Sequence, residues 1–266
     1  MSEAKNITKA ASIVGGATFV SRILGYIRDA VIAAYFGTGT FADIFFIAYR
    51  IPNFFRRLVG EGSLTASFIP VFTEELALNS KDRAKRLVSI SFTFFTILLA
   101  VLTIIGVLFS PQIVKIMVPG FAKIENKLPL TISLTQWMFP FLFFICLAAL
   151  SMGVLNSFKC FSAPALSAVW FNISIIGSTM FLIPFFKQGI YALAFGVVFG
   201  GMLQFLYQLP YLKKYNMLPA IDFSFNDPAI KRIVVLMSAA IPATAVYQIN
   251  ILITNGFASV LKEGSI

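Results

Sequence analysis

Five stretches of this chain run without a single charged residue: 87–114, 128–158, 160–186, 188–212 and 233–261. Each exceeds the ~20 residues an α-helix needs to cross the hydrocarbon core of a bilayer. A soluble domain cannot bury so much apolar surface on every side, and with 58% hydrophobic and 12% charged residues the composition is that of an integral membrane protein. The runs are continuous, without a turn signal every ten residues or a sustained alternation, so they read as helices and not as strands of an outer-membrane barrel.

Two further stretches, about 11–36 and 41–72, are equally long but hold eight charges: Arg22, Arg28 and Asp29 in the first, then Asp43, Arg50, Arg56, Arg57 and Glu61 in the second. They bring the expected spans to seven. An arginine at mid-bilayer costs roughly 2.5–3.5 kcal/mol, so these side chains are expected to face a polar interior. With Arg22 in its middle and further spans behind it, the first stretch does not read as a cleavable signal peptide.

Basic residues sort by side. With a cytoplasmic N-terminus, eleven (Lys5, Lys9, Lys81, Arg83, Lys85, Arg86, Lys159, Lys213, Lys214, Lys231 and Arg232) fall inside, and five (Lys115, Lys123, Lys127, Lys187 and Lys262) fall outside. The positive-inside bias therefore puts the N-terminus in the cytoplasm. The same bias accounts for part of the net charge of +10 without a nucleic-acid partner.

The longest polar interruption, Lys213 to Arg232, divides the chain into a six-helix lobe (1–215), a cytoplasmic connector (216–232) and a seventh helix (233–266) that opens a second, incomplete lobe. Prolines 140, 164, 184 and 242 predict kinks or helix ends. Gly196 and Gly200, with Gly201 beside them, predict close helix packing within one bundle. The triplet Asn172-Ile173-Ser174 matches a glycosylation sequon but lies inside an apolar run and is set aside as one. Cys146 and Cys160 offer neither metal spacing nor a disulfide framework, and the chain has no histidine.

Asp43, Arg50, Asn53, Arg57 and Glu61 fall near one face of an ideal helix at 100° per residue, and Arg22 shares a face with Asp29. Arginines outnumber acids five to three in these two stretches, so internal pairing leaves about two positive charges in the membrane. Arginine at every one of these basic positions favours forked recognition of phosphate or carboxylate. The bland alternative has Arg56, Arg57 and Glu61 at a headgroup interface, where long side chains snorkel. Voltage sensing calls for arginine at every third position, a repeat this sequence lacks. A phosphate-binding P-loop, a zinc-protease HExxH and a hydrolase Gly-x-Ser-x-Gly elbow are also absent. Any pumping must then draw on an ion gradient, the membrane potential or a substrate gradient, with no cofactor or metal.

Several runs of residues carry a family resemblance. They are Ser21-Arg22-Ile23-Leu24-Gly25-Tyr26-Ile27-Arg28-Asp29-Ala30, Phe36-Gly37, Ala42-Asp43, Arg50-Ile51-Pro52-Asn53-Phe54-Phe55-Arg56-Arg57, Glu61-Gly62 and Phe68-Ile69-Pro70. Pro119-Gly120-Phe121-Ala122, Ser162-Ala163-Pro164-Ala165 and the stretch Gln204 to Lys214 add to them. Together they resemble the MurJ/MviN lipid II flippases of bacteria. The resemblance implies an all-α polytopic fold of the multidrug/oligosaccharidyl-lipid/polysaccharide exporter type, with two six-helix lobes around a cationic cavity, and an inner-membrane location.

It further implies that the chain carries lipid II, an undecaprenyl-diphosphate sugar-peptide, from the cytoplasmic to the outer leaflet, with no enzymatic step. Under it Arg22, Arg28, Arg56 and Asn53 bind substrate, while Asp29, Asp43, Arg50, Arg57 and Glu61 act as gating or charge partners. The chain stops where the family continues into its second lobe, so it reads as an N-terminal portion. Two other readings stand beside this one: an exporter of the same fold carrying another lipid-linked glycan or a drug, and a membrane enzyme acting on polyprenyl phosphates. The enzyme needs a carboxylate cluster in a loop. The only candidates, Glu74, Glu75 and Asp82, are interleaved with Lys81 and Arg83 and read as a solvated loop.

Overall fold

The structure, a computed structural model, describes the backbone of residues 2–37 and 39–258, and their side chains except at 2–11, 61–62, 243, 247–253 and 255–258. Within these residues the chain traverses the molecule seven times as helix: α1 (Ser2–Phe36); α2 (Thr40–Arg56), a π-helical segment (Arg57–Leu64) and α3 (Thr65–Leu78) as one rod; α4 (Lys81–Met117); α5 (Lys127–Met138) with α6 (Pro140–Ser157); α7 (Ser162–Leu182); α8 (Ile190–Leu206) with α9 (Leu209–Lys214); and α10 (Pro228–Ala258). By length and composition, Lys81–Met117, Lys127–Ser157, Ser162–Phe185, Ile190–Lys214 and Pro228–Val246 can each cross a membrane. The first two traverses are long enough, but their charges lower their hydropathy.

Local chemistry sets the ends of these helices. Gly37, at φ +69°, donates its N–H to the Ala33 carbonyl, closing α1 with a left-handed residue that suits glycine. Ser80 Oγ accepts from the Arg83 N–H to cap α4. Pro140, which has no N–H to donate, divides the fourth apolar run into α5 and α6. The last helix begins at Pro228, five residues before the charge-free run, because the Asp227 carboxylate caps the Ala229 N–H at 2.9 Å and proline suits the first helical position.

The π segment is the main departure from the sequence reading. Its i→i+5 winding turns fewer degrees per residue than an α-helix, so the 100° projection of the charged stripe fails from Arg57 onward. The side chain of Glu61, within this segment, lies outside the described residues.

Glycine brings the last helices of the lobe together. A Cβ on Gly196 would stand 2.0 Å from Ser178 Oγ and 3.0 Å from Ile175 Cα, and one on Gly200 would stand 3.1 Å from the Phe171 carbonyl oxygen. The small-residue pair therefore packs α8 on α7, as expected. The Ser174 hydroxyl donates to Gly196 O across the same seam at 2.8 Å. Buried hydroxyls elsewhere bond back to their own helix, as Thr131 to Lys127 O, Thr135 to Thr131 O and Ser151 to Leu147 O, which lets them sit in apolar runs. Cys146 and Cys160 are not joined by a disulfide.

The Asn79–Ser80 turn, the 158–161 turn and the 215–227 connector share one end of the bundle, called here the basic end. The connector is strapped down there. Arg83 forks onto Asp227, Arg86 meets Asp222 at 3.3 Å and Ser224 Oγ at 3.2 Å, and Arg232 reaches Glu74 at 2.7 Å. Glu75 adds a second acid to Arg83 at 3.3 Å. This corrects the solvated-loop reading: α3 extends to Leu78, so Glu74 and Glu75 are helical and ion-paired, and Asp82 lies in the first turn of α4. No group of three or more His, Cys, Asp or Glu is placed to hold a metal among the described residues.

Candidate functional site

α1 packs along α7, and their seam holds the first cluster of candidate residues. Arg28 donates from Nε and Nη2 to Asp29 Oδ1 at 2.9 and 2.8 Å, and from Nη1 to Asn172 Oδ1 at 3.2 Å. The Asn172 amide, 6% exposed, donates in turn to the carbonyl and hydroxyl of Ser21 at 3.1 and 3.3 Å. One amide thus holds the guanidinium on one side and the α1 backbone on the other. Asn172 is the single Asn or Gln in the 160–186 run, and that polarity was the signal available in the sequence for its role.

Arg22 is exposed, beside the exposed Phe19, Ile23 and Tyr26. Among the described residues it forms neither a hydrogen bond nor an ion pair, so the helix face that Arg22 shares with Asp29 does not bring the two together. Asp29 turns wholly to its neighbour Arg28 and leaves a carboxylate that is itself exposed.

On the second rod, Arg56 donates from Nε to Asn53 Oδ1, one helical turn away, and both side chains are half-buried. Arg50 is half-buried on α2, and Arg57 is half-buried at the first position of the π segment. Asp43 departs from the arginine set. Its Oδ2 accepts from Lys127 Nζ at 2.9 Å, with side-chain exposures of 5% and 2%. The ammonium also lies 4.3 Å from the centroid of the Phe121 ring. Lys127, read from sequence as an outer-loop charge, is instead buried at the first residue of α5, where its long stem lets the ammonium reach the neighbouring rod. Its position directly before an apolar run was the only hint in the sequence.

The candidates therefore fall into three groups: Arg28 with Asp29 at the α1–α7 seam, Asn53 with Arg56 on α2, and Asp43 with Lys127 near the opposite end. Arg22, Arg28 and Arg56 are not joined to one another by hydrogen bonds among the described residues.

The family profile described as "Lipid II flippase MurJ" matches residues 32–266. This chain belongs to the MurJ family. A probable lipid II flippase MurJ of Buchnera aphidicola subsp. Acyrthosiphon pisum is 40% identical over 261 residues, covering 98% of this chain and 51% of that protein. The lipid II flippase MurJ of Burkholderia cenocepacia is 37% identical over 265 residues, with the same shares covered. Among solved structures, a lipid II flippase MurJ in an inward closed conformation superposes with a TM-score of 0.77 at 28% identity, over 94% of this chain and 51% of that one. The chain thus spans about half the length of the MurJ relatives it matches. The seven traverses form an all-α polytopic membrane fold. The profile match starts after Arg22, Arg28 and Asp29, whereas the relatives' alignments extend over them.

Proposed function

We propose that this chain is the first half of a lipid II flippase, which moves an undecaprenyl-diphosphate sugar-peptide from the cytoplasmic to the outer leaflet by alternating access. Arg28 carries the reading. A guanidinium about two turns from the end of a membrane-length helix is held by Asp29 and Asn172 yet stays 24% exposed, so its remaining surface is available to an anionic headgroup. Arg22, on the same helix, and Arg56, at the end of α2, extend the cationic wall; Asn53 orients Arg56, and Asp29 fixes Arg28. Arg50, Arg57, Asp43 and Glu61 act as charge partners or gates.

In this reading the protein is a transporter and not a catalyst, works without a cofactor or metal, and draws on an ion gradient or the membrane potential. It lies in the bacterial inner membrane with its basic end in the cytoplasm. Residues 1–215 form the first lobe, 216–232 the connector and 233 onward the start of the second, whose remaining helices close the cavity.

Flipping of labelled lipid II by the full-length protein in vesicles tests this. Arg28→Ala abolishes transport, and Arg28→Lys restores it incompletely because an ammonium lacks the fork that holds a diphosphate. Wild-type flipping by the lysine variant at equal expression overturns the role of geometry, and lipid II flipping unaffected by Arg28→Ala overturns the reading itself.

A further inference from the structure

A groove of about 430 Å³ opens on the outside of the bundle at its basic end, where α8 gives way to α9, lined by Tyr207, Pro210, Tyr211 and Lys214. From the adjoining α7, the Trp170 indole stands 6.0 Å from the Tyr207 ring and is 41% exposed. The groove combines an apolar wall, two phenols and an ammonium.

Its polar groups have capacity to spare. The hydroxyl oxygens of Tyr207 and Tyr211 lie 3.3 Å apart, and a single hydrogen bond between them uses one of their two protons, leaving the other O–H to donate outward. Lys213 and Lys214 are exposed and form neither a hydrogen bond nor an ion pair among the described residues; nor does Lys159, beside the Phe158 ring that stacks on Tyr215. On the α4 flank of the same end, Arg83, Arg86 and Arg232 are all matched by acids of the connector and α3. Lys214, in the groove lining, and its neighbour Lys213 thus carry positive charge that no acid among the described residues matches, and no carboxylate lines the groove.

We propose that this groove binds an anionic phospholipid. The headgroup phosphate pairs with Lys214 and accepts from a tyrosine hydroxyl, and the glycerol and upper acyl chain lie along Trp170. Aromatic rings with polar tips favour the boundary between acyl chains and headgroups, and basic pockets between membrane helices on the cytoplasmic side suit anionic headgroups. A proline in the lining and an exposed indole beside it favour a lipid over a free anion, which needs no apolar partner. The site does not depend on the cargo of the transporter; only its assignment to the cytoplasmic leaflet rests on the orientation proposed above.

The test reconstitutes the full-length protein in phosphatidylcholine vesicles with a trace of photoreactive phosphatidylglycerol or photoreactive phosphatidylcholine and maps the crosslinked peptides. Both leaflets carry the probe, so orientation does not affect the outcome. The expected result is labelling of 166–174 and 204–214 that is several-fold stronger for the phosphatidylglycerol probe. Excess unlabelled phosphatidylglycerol competes, whereas inorganic phosphate does not. Lys214→Ala and the pair Tyr207→Phe/Tyr211→Phe bring labelling down to the phosphatidylcholine level, while Lys214→Arg retains it and shows that the fold is intact. Equal labelling by the two probes, indifference to Lys214→Ala, competition by inorganic phosphate, or no lipid on these segments each overturns the proposal.

Discussion

Lys127 and Asp43 join two traverses through an ion pair sealed from solvent, Nζ to Oδ2 at 2.9 Å, with neither side chain more than 5% exposed. Removing one partner takes the ion pair from the other while its charge stays buried, which costs about 3–5 kcal/mol, whereas replacing both with apolar residues of similar size is often nearly neutral. Lys127→Met and Asp43→Leu are each expected to lower the melting temperature in detergent sharply, and the double variant to recover most of the loss. Additive losses in the double variant contradict the pairing.

Asn172 is expected to clip α1 to α7. Asn172→Leu keeps the volume and loses the bonds to Arg28 and Ser21, and interhelical hydrogen bonds of this kind contribute roughly 0.6–2 kcal/mol. A denaturant titration that finds no change refutes the clip. Cysteines at 21 and 172 are expected to crosslink readily once Cys146 and Cys160 have been replaced by serine.

Asp29 spends its near oxygen on Arg28, so Asp29→Asn is expected to reduce turnover more than substrate binding. Measuring lipid II affinity and flipping rate on the same preparation separates the two. Binding destroyed with the arginines correctly inserted makes Asp29 a direct ligand instead.

Gly200 and Gly177 form a matched comparison. Gly200→Ala forces a methyl against the Phe171 backbone and is expected to destabilise by about 1–3 kcal/mol, as overpacking does. A Cβ on Gly177 meets nothing within 4 Å, so Gly177→Ala is expected to be neutral or to stabilise by up to ~1 kcal/mol through helix propensity. Thermal melts of the two variants that coincide rule this out.

The strap on the connector responds to acid. Asp227 is held below the ordinary carboxylate value, chiefly by the hydrogen bonds from Arg83. A carboxyl depressed on folding gives its full stabilisation above the unfolded value of ~3.9 and loses it as pH falls through the lower folded value. Proteolysis between 215 and 227 is therefore expected to be slow at neutral pH and to accelerate only below about pH 4. Arg83→Ala brings rapid cleavage to neutral pH, and exchanging the pair as Arg83→Asp with Asp227→Arg restores protection. Equal cleavage of all three at neutral pH excludes the strap.

Much of the architecture was legible because it follows from one requirement: a segment in lipid must satisfy its own backbone and turn apolar side chains outward. The charge-free runs hence mark helices within a few residues, and Gly196 and Gly200 disclose a seam. The charged side chains were less legible because their partners come from other traverses. Asp43 finds Lys127, which is 84 residues away, and Arg28 finds Asn172, which is 144 away. No helical projection contains either relationship. Glu74 was misjudged for the same reason, since Arg232 approaches it from a helix that begins far along the chain.

The π segment between α2 and α3 carries a consequence for how such a rod tolerates change. Deleting one residue there lets the stretch relax to α winding, and the larger turn per residue of the α-helix makes up for the residue lost, so everything beyond keeps about its orientation relative to everything before. The segment thus serves as a phase adjuster. It lets the face of α2 that carries Arg50 and Asn53 be aimed independently of the face of α3 that stacks Phe68 on Phe72 in the core. A single-residue deletion between Arg57 and Leu64 would therefore leave the stacked phenylalanines near their register, whereas the same deletion within α2 would swing them out of it by about 100° without touching either of them.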